Sequence, residues 1–185
     1  QIGNDDVGNV NYRGFAYKIT TGNYHPTIQD FYHSTSIGYL YPMALSYRIF
    51  GVSKFSSYLP DLIVSIFSIV LIYILGSYFF NEKTGILAAF LLSFFPLDVI
   101  YATQTLSDMF QAFFMGIAVI LFFIGEKKND AWKKIILFIL SGAFIGIAFT
   151  IKQSGILIFL FLFLYILYKQ IFENKRIEID FRYLW

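Results

Sequence analysis

The sequence contains no cysteine, which excludes disulfide bonds, a thiol nucleophile and a cysteine-based metal site. Charged residues are also scarce, at 14% of the 185 residues, whereas soluble domains contain about 25%. The formal net charge of +2 is too small to indicate a nucleic-acid partner. Hydrophobic residues, in contrast, make up 57% of the chain and aromatic residues 21%. Long apolar runs separated by short charged clusters are typical of a protein that crosses a membrane several times.

The apolar runs begin after residue 58 and predict an all-α, polytopic membrane helix bundle. The first run, 59–80, would rise about 33 Å as a helix, which is enough to cross a bilayer. Pro60 would lie in its first turn, where a missing N–H costs nothing. The second run contains Pro96, so we expect it to kink or end there and to continue partly unwound. We expect about five spans, 59–80, 86–100, 107–125, 135–151 and 155–172, and then a cytoplasmic segment, 173–185.

Residues 1–58 form the one long stretch with enough polar groups for chemistry, and we expect a loop that contains interfacial helices. The pattern predicts a helix over 7–21, which Asp6 can cap and Gly22 would end. A second apolar stretch, 37–50, is too short to span, and its tyrosines are typical of an aromatic belt with wet hydroxyl groups. Because the chain opens with this polar loop, we expect it to be a piece of a longer protein with spans before and after it.

Basic and acidic residues indicate how the chain is oriented. With the expected spans, nine Lys and Arg residues fall on one side of the membrane and five on the side of the opening loop. Cytoplasmic loops carry the Lys and Arg excess, so we expect residues 1–58 on the extracellular or lumenal side of an integral protein of the plasma membrane or the ER. The acids at that face are Asp5, Asp6, Asp30, Asp61, Asp98 and Asp108. The opening loop, Asp98 and Asp108 can converge there, and carboxylates near hydrocarbon are site candidates.

Several short motifs follow one another in a distinctive order. They are Asp5-Asp6, a Tyr12-containing helix that ends at Gly22, Tyr39-Leu40-Tyr41-Pro42, Ile49-Phe50-Gly51, Phe95-Pro96, Asp108, Gly146-Ile147-Ala148-Phe149-Thr150 and Lys152. This order resembles the multi-span glycosyltransferases of the GT-C class. The most similar type is the dolichyl-phosphate-mannose protein mannosyltransferase-like family, which includes the lipid A aminoarabinose transferase.

The resemblance implies a glycosyltransferase that moves a sugar from a polyprenyl-phosphate carrier to a protein, lipid or glycan acceptor, with membrane lipids around it. It implies an essential acid in the first outer loop, at Asp5 or Asp6, and a second acid at Asp108. Lys152 matches a lysine that the family has at the outer end of the same span. Some members bind a divalent metal ion, and His33 lies where their acidic ligand would be. A metal ion is therefore the one cofactor that the resemblance suggests.

The chemistry of such a transfer needs a base and a cation. An acceptor hydroxyl must lose its proton to a positioned carboxylate, which would be Asp5 or Asp6. The departing phosphate needs positive charge, from a basic side chain or a metal ion. Lys152 is the first candidate, and Arg13, Lys18 and Arg48 are further candidates, because these cations would lie near the depth of a lipid phosphate.

Each of these residues also has a purely structural interpretation. Asp5-Asp6 and Ser107-Asp108 can cap the helices that follow them. Lys152 can simply extend to the membrane surface, and a single histidine makes no metal site.

Two functional classes stay open on the sequence alone. One is the sugar transferase, and the alternative is a non-catalytic polytopic protein, such as a transporter part or an assembly subunit. Transporters place acids near the midplane, whereas here the acids collect at one face, which favours the transferase. Gly142 and Gly146, four residues apart, predict a close helix contact without chemistry.

Overall fold

The computed structural model describes residues 7–22 and 36–173, and every regular element in those ranges is a helix. In chain order the elements are α1 (Val7–Thr21), α2 (Ile37–Phe50), α3 (Lys54–Phe79), α4 (Glu82–Ser93), α5 (Pro96–Ala102), α6 (Ser107–Glu126), α7 (Ala131–Ile151), a short 3₁₀ turn (Gln153–Gly155) and α8 (Ile156–Glu173). The predicted all-α fold is confirmed for this part of the chain.

Both short helices of the opening segment form where the sequence predicted them. α1 covers 7–21 and is followed by Gly22, whose φ of 76° is easily reached without a Cβ. α2 covers 37–50 as expected. Asp6, the predicted cap of α1, lies outside the described residues.

Four helical segments in the described ranges are long and apolar enough to cross a membrane. They are α3, α6, α7 and Gln153–Ile171, which contains most of α8. These segments correspond to the first, third, fourth and fifth predicted spans. An integral membrane helix bundle is therefore the architecture of this chain.

The second predicted span, 86–100, is not one continuous helix. The 12 residues of α4 rise about 18 Å, less than the bilayer core of about 30 Å. α4 ends at Ser93 and α5 begins at Pro96, where the sequence predicted a break. The chain is helical over Pro96–Ala102, so the prediction that it continues partly unwound was wrong for these residues. The two helices return the chain toward the start of α3, because the Ser65 hydroxyl of α3 donates to Asp98 of α5 at 2.7 Å. Membrane crossing by 86–100 stays a prediction.

The position of Pro60 differs from the prediction. α3 begins at Lys54, after a capping box formed by Ser53 and Ser56, so Pro60 lies inside the helix and not in its first turn. Proline has no N–H, and the carbonyl of Ser56 therefore loses its usual helical partner. The Ser46 hydroxyl of α2 donates to that carbonyl at 2.7 Å. The proline thus creates an acceptor that joins α2 to α3.

The aromatic-belt interpretation of α2 was wrong for two of its tyrosines. Tyr39 and Tyr47 are buried, at 0% and 4% exposure, whereas Tyr41 is 60% exposed. The Tyr47 hydroxyl bonds to the Ser57 hydroxyl at 2.9 Å and is therefore not wet. Tyr39, Met43 and Tyr47 recur every fourth residue, so they form one buried face of the helix.

The close helix contact lies between α3 and α4 and not at the glycines that the sequence indicated. A β-carbon added at Gly142 or Gly146 would meet nothing within 4 Å, so no close helix contact forms at these glycines within the described part of the chain. A β-carbon at Gly76 of α3 would lie 2.8 Å from the Cα of Gly85 in α4. At Gly85 it would lie 2.6 Å from the carbonyl oxygen of Tyr73. Backbone cannot yield at these distances.

We expect Gly85→Ala to lower the free energy of unfolding by about 1–3 kcal/mol, because the added methyl group must push two helices apart. Gly142→Ala is the matched control, since alanine favours a helix over glycine by about 1 kcal/mol and the site is open. Thermal unfolding in one detergent would compare the two variants. Equal midpoints would show that the α3–α4 contact is not as close as described.

Candidate functional site

One end of the bundle contains the predicted site residues that the structure describes, Asp108, Lys152 and Arg13. Tyr39 of α2 contacts Asp61 of α3 and Phe110 of α6, and it shares a buried cluster with Ile151, the last residue of α7. We call this the α2 end of the bundle. The first residues of α3 and α6 and the last residues of α7 therefore lie together beneath α1 and α2.

Asp108 and Lys152, which were singled out separately, form an ion pair at this end. The Lys152 ammonium lies 2.5 Å from Asp108 Oδ1, and the side chains are 46% and 49% exposed. The helix cap of α6 is Leu106, and it makes no side-chain cap bond. The interpretation of Ser107-Asp108 as a cap was therefore wrong. Asp108 instead holds a cation at the surface of the α2 end.

Gln111 holds the backbone at Lys152 in place. This glutamine lies one turn after Asp108 in α6 and is 7% exposed. Its amide nitrogen donates to the Lys152 carbonyl at 3.2 Å and to the Ser154 hydroxyl at 2.9 Å. The turn between α7 and α8 is thereby held against the start of α6.

A groove of about 380 Å³ opens beside the ion pair, between α3, α6 and the break between α4 and α5. Apolar side chains form its walls, among them Leu71, Leu75, Leu92 and Phe113. Its two carboxylates, Asp98 and Asp108, belong to α5 and to the first turn of α6, so they lie toward the α2 end. The groove is thus apolar along its length and charged at one end, which suits an amphiphilic ligand.

Arg13 lies apart from the ion pair. Its guanidinium carbon is 4.8 Å from the ring centre of Tyr58, at the start of α3. Its Nε is buried and has no hydrogen-bond partner among the described residues. A buried donor without a partner costs free energy.

Two buried residues that the sequence did not single out as a site complete this end. The Tyr39 hydroxyl donates to Asp61 Oδ2 at 3.0 Å, and both side chains are 0% exposed. Burial, and then the neighbouring Asp61 charge, raise the pKa of Tyr39 well above its usual value, so the hydroxyl stays a donor. The four-residue spacing of the buried tyrosines was the signal for this contact, together with an acid placed after Pro60.

Three predicted site residues, Asp5, Asp6 and His33, lie outside the described residues. Within the described ranges, no three His, Asp or Glu side chains group together in a way that could hold a metal ion. A divalent metal site that includes His33 therefore stays a prediction.

The sequence profile of the dolichyl-phosphate-mannose-protein mannosyltransferase family matches residues 34–183, most of the chain. The chain belongs to this family. None of the curated proteins and none of the solved structures matches it. Membership identifies a membrane glycosyltransferase and confirms the resemblance seen in the sequence, and the four apolar helices agree with an integral membrane location.

For this mannosyltransferase-family protein, the ion pair and the Gln111 contacts differ in what they contribute to stability. We expect Asp108→Asn to lower the free energy of unfolding by at most about 1 kcal/mol, because the pair is half exposed. Gln111→Leu should cost about 1–3 kcal/mol, because it removes buried hydrogen bonds. Unfolding of both variants in one detergent would test this, and a larger loss for Asp108→Asn would contradict it.

Proposed function

We propose that the full-length protein transfers a sugar from a polyprenyl-phosphate carrier to an acceptor hydroxyl. The transfer would take place at the extracellular or lumenal face, which would be the α2 end. The observation that carries the proposal is the groove that is apolar along its length and ends at Asp98, Asp108 and the Lys152 ion pair. Family membership supplies the class of reaction.

The shape of the groove supports a lipid-borne donor. A polyprenyl chain is a flexible hydrocarbon, and apolar walls favour it over water. Its phosphate would then lie at the α2 end, where the half-exposed Lys152 can exchange Asp108 for a phosphate oxygen with little loss. Arg13, with its buried Nε free of a described partner, is a second cation for the phosphate or for an anionic acceptor.

The orientation is supported by the charges at the opposite end. There Glu126 binds Lys134 at 3.4 Å and Lys169 at 2.5 Å, and Lys127 lies over the Tyr78 ring. Lys128 and Lys133 are exposed nearby. Such an excess of lysine is typical of a cytoplasmic face, which would leave the α2 end outside.

The reaction itself conserves atoms and charge. The acceptor oxygen forms a bond to the anomeric carbon while the bond between that carbon and the phosphate oxygen breaks. The acceptor proton passes to the carboxylate of Asp5 or Asp6, and the polyprenyl phosphate leaves with the electron pair. Lys152 would stabilise the negative charge that develops on the leaving phosphate.

We expect Asp5→Asn or Asp6→Asn to lower kcat by about a hundredfold or more, because proton removal contributes about that factor or more. Lys152→Gln should mainly weaken donor binding, because it removes the cation proposed for the phosphate. The measurement is transfer from a radiolabelled polyprenyl-phosphate sugar in membranes that contain the full-length protein. Asp130→Asn, a helix cap at the opposite end, is the control for removal of a carboxylate. Full activity in both Asp5→Asn and Asp6→Asn would refute the assignment of the base.

The groove makes a separate prediction. Ala112 lines the groove, so Ala112→Trp should fill it and raise the donor KM about tenfold or more. Ala143→Trp on α7 is the matched control, because Ala143 is exposed and does not line the groove. Equal KM values for these two variants would exclude the groove as the donor site.

A further inference from the structure

Asp61 is buried in a way that packing alone does not explain. The side chain is 0% exposed, one oxygen accepts from Tyr39, and Oδ1 has no hydrogen-bond partner among the described residues. An unsatisfied buried oxygen destabilises the fold, whereas replacing both members of a buried polar pair by apolar groups is nearly neutral. The pair therefore has a cost that apolar side chains at both positions would avoid.

Tyr39 links the helices on which the candidate acids depend. Its ring meets Tyr12 of α1 edge-on, with ring centres 5.1 Å apart, and meets Phe110 of α6 in the same way at 5.1 Å. α1 follows directly after Asp5-Asp6, and Phe110 is two residues after Asp108. The Tyr39 ring therefore lies between α1 and α6, the two helices that are next to these acids in the sequence.

We propose that the Asp61–Tyr39 hydrogen bond is a positioning element for transfer, which holds α1 and α6 at the spacing that the reaction requires. A phenol ring without its hydroxyl bond can rotate and slide between Tyr12 and Phe110, because edge-on ring contacts fix geometry only weakly. The bond to a buried carboxylate removes that freedom. This inference rests on the proposed function.

The first test compares kcat, donor KM and the unfolding midpoint in the full-length protein. Tyr39→Phe and the double variant Tyr39→Phe/Asp61→Leu should lower kcat about tenfold to a hundredfold while the donor KM stays the same, because small misplacements have effects of that size. The midpoint of the double variant should equal or exceed that of the wild type. Wild-type kcat in the double variant would overturn the proposal and would show that Tyr39 and Asp61 contribute only to packing.

Two variants separate positioning from general damage. Tyr47→Phe is the matched control, since it removes a buried hydroxyl bond between α2 and α3 from the same face of α2. It should keep kcat. Asp61→Asn retains an acceptor for Tyr39 and should therefore keep most of the activity that the double variant loses. A loss in Tyr47→Phe as large as in Tyr39→Phe would also overturn the proposal.

A second readout does not depend on transfer. The sequence has no cysteine, so spin labels can be attached at Lys18→Cys on α1 and Ala112→Cys on α6, both of which are exposed positions. Tyr39→Phe should broaden the distance distribution between the labels, and Tyr47→Phe should not. An unchanged distribution in Tyr39→Phe refutes the positioning role even if the proposed reaction is wrong. If Tyr39→Phe broadened the distance distribution but the wild type transferred no sugar from this carrier, only the proposed donor would be refuted.

Discussion

The interface between α2 and the first turns of α3 determines how the α2 end is assembled, and three hydroxyl contacts cross it. Tyr39 donates to Asp61, Ser46 donates to the carbonyl that Pro60 leaves unpaired, and Tyr47 bonds to Ser57. Apolar surfaces alone can slide past one another, whereas hydrogen bonds in a region without water fix one register. α1 packs on α2 through Tyr12 and through a bond from the Thr20 hydroxyl to the Ala44 carbonyl. The position of the opening segment over the membrane helices therefore follows from this one interface.

The sequence predicted those features that depend on neighbouring residues in the chain. Length and hydropathy are local, so α1, α2 and the long spans were found close to their observed bounds. The break at Pro96 was found for the same reason. The true start of α3 was missed because the sequence before Leu59 is polar, although Ser53 and Ser56 form a capping box. α2 packs against this polar beginning of α3 and buries it. The hydropathy of the α3 sequence does not show that another helix will do so.

The site could be predicted only in part, for a similar reason. Alternating spans placed Asp108 and Lys152 at the same face, but their direct pairing depends on the Gln111 bonds that fix the turn after α7. The buried role of Tyr39 and Asp61 depends on contacts among three helices. The same limit applies to the prediction of close helix contacts at glycines. A small residue permits two helices to approach closely, but it does not show which helix will pack against it. Gly142 and Gly146 have that freedom and no described neighbour, whereas Gly85 has Gly76.

The interruption between α4 and α5 has a consequence for how a ligand would arrive. Leu92, before the interruption, and Leu97, after it, both line the groove, which opens between α3 and α6. A molecule that is dissolved in the bilayer would enter such an opening from the side, by diffusion in two dimensions and with its hydrocarbon always surrounded by hydrocarbon. Its effective concentration would be a density per membrane area. The occupancy of the groove would then depend on the ratio of carrier to lipid, and diluting the vesicles in water would leave it unchanged.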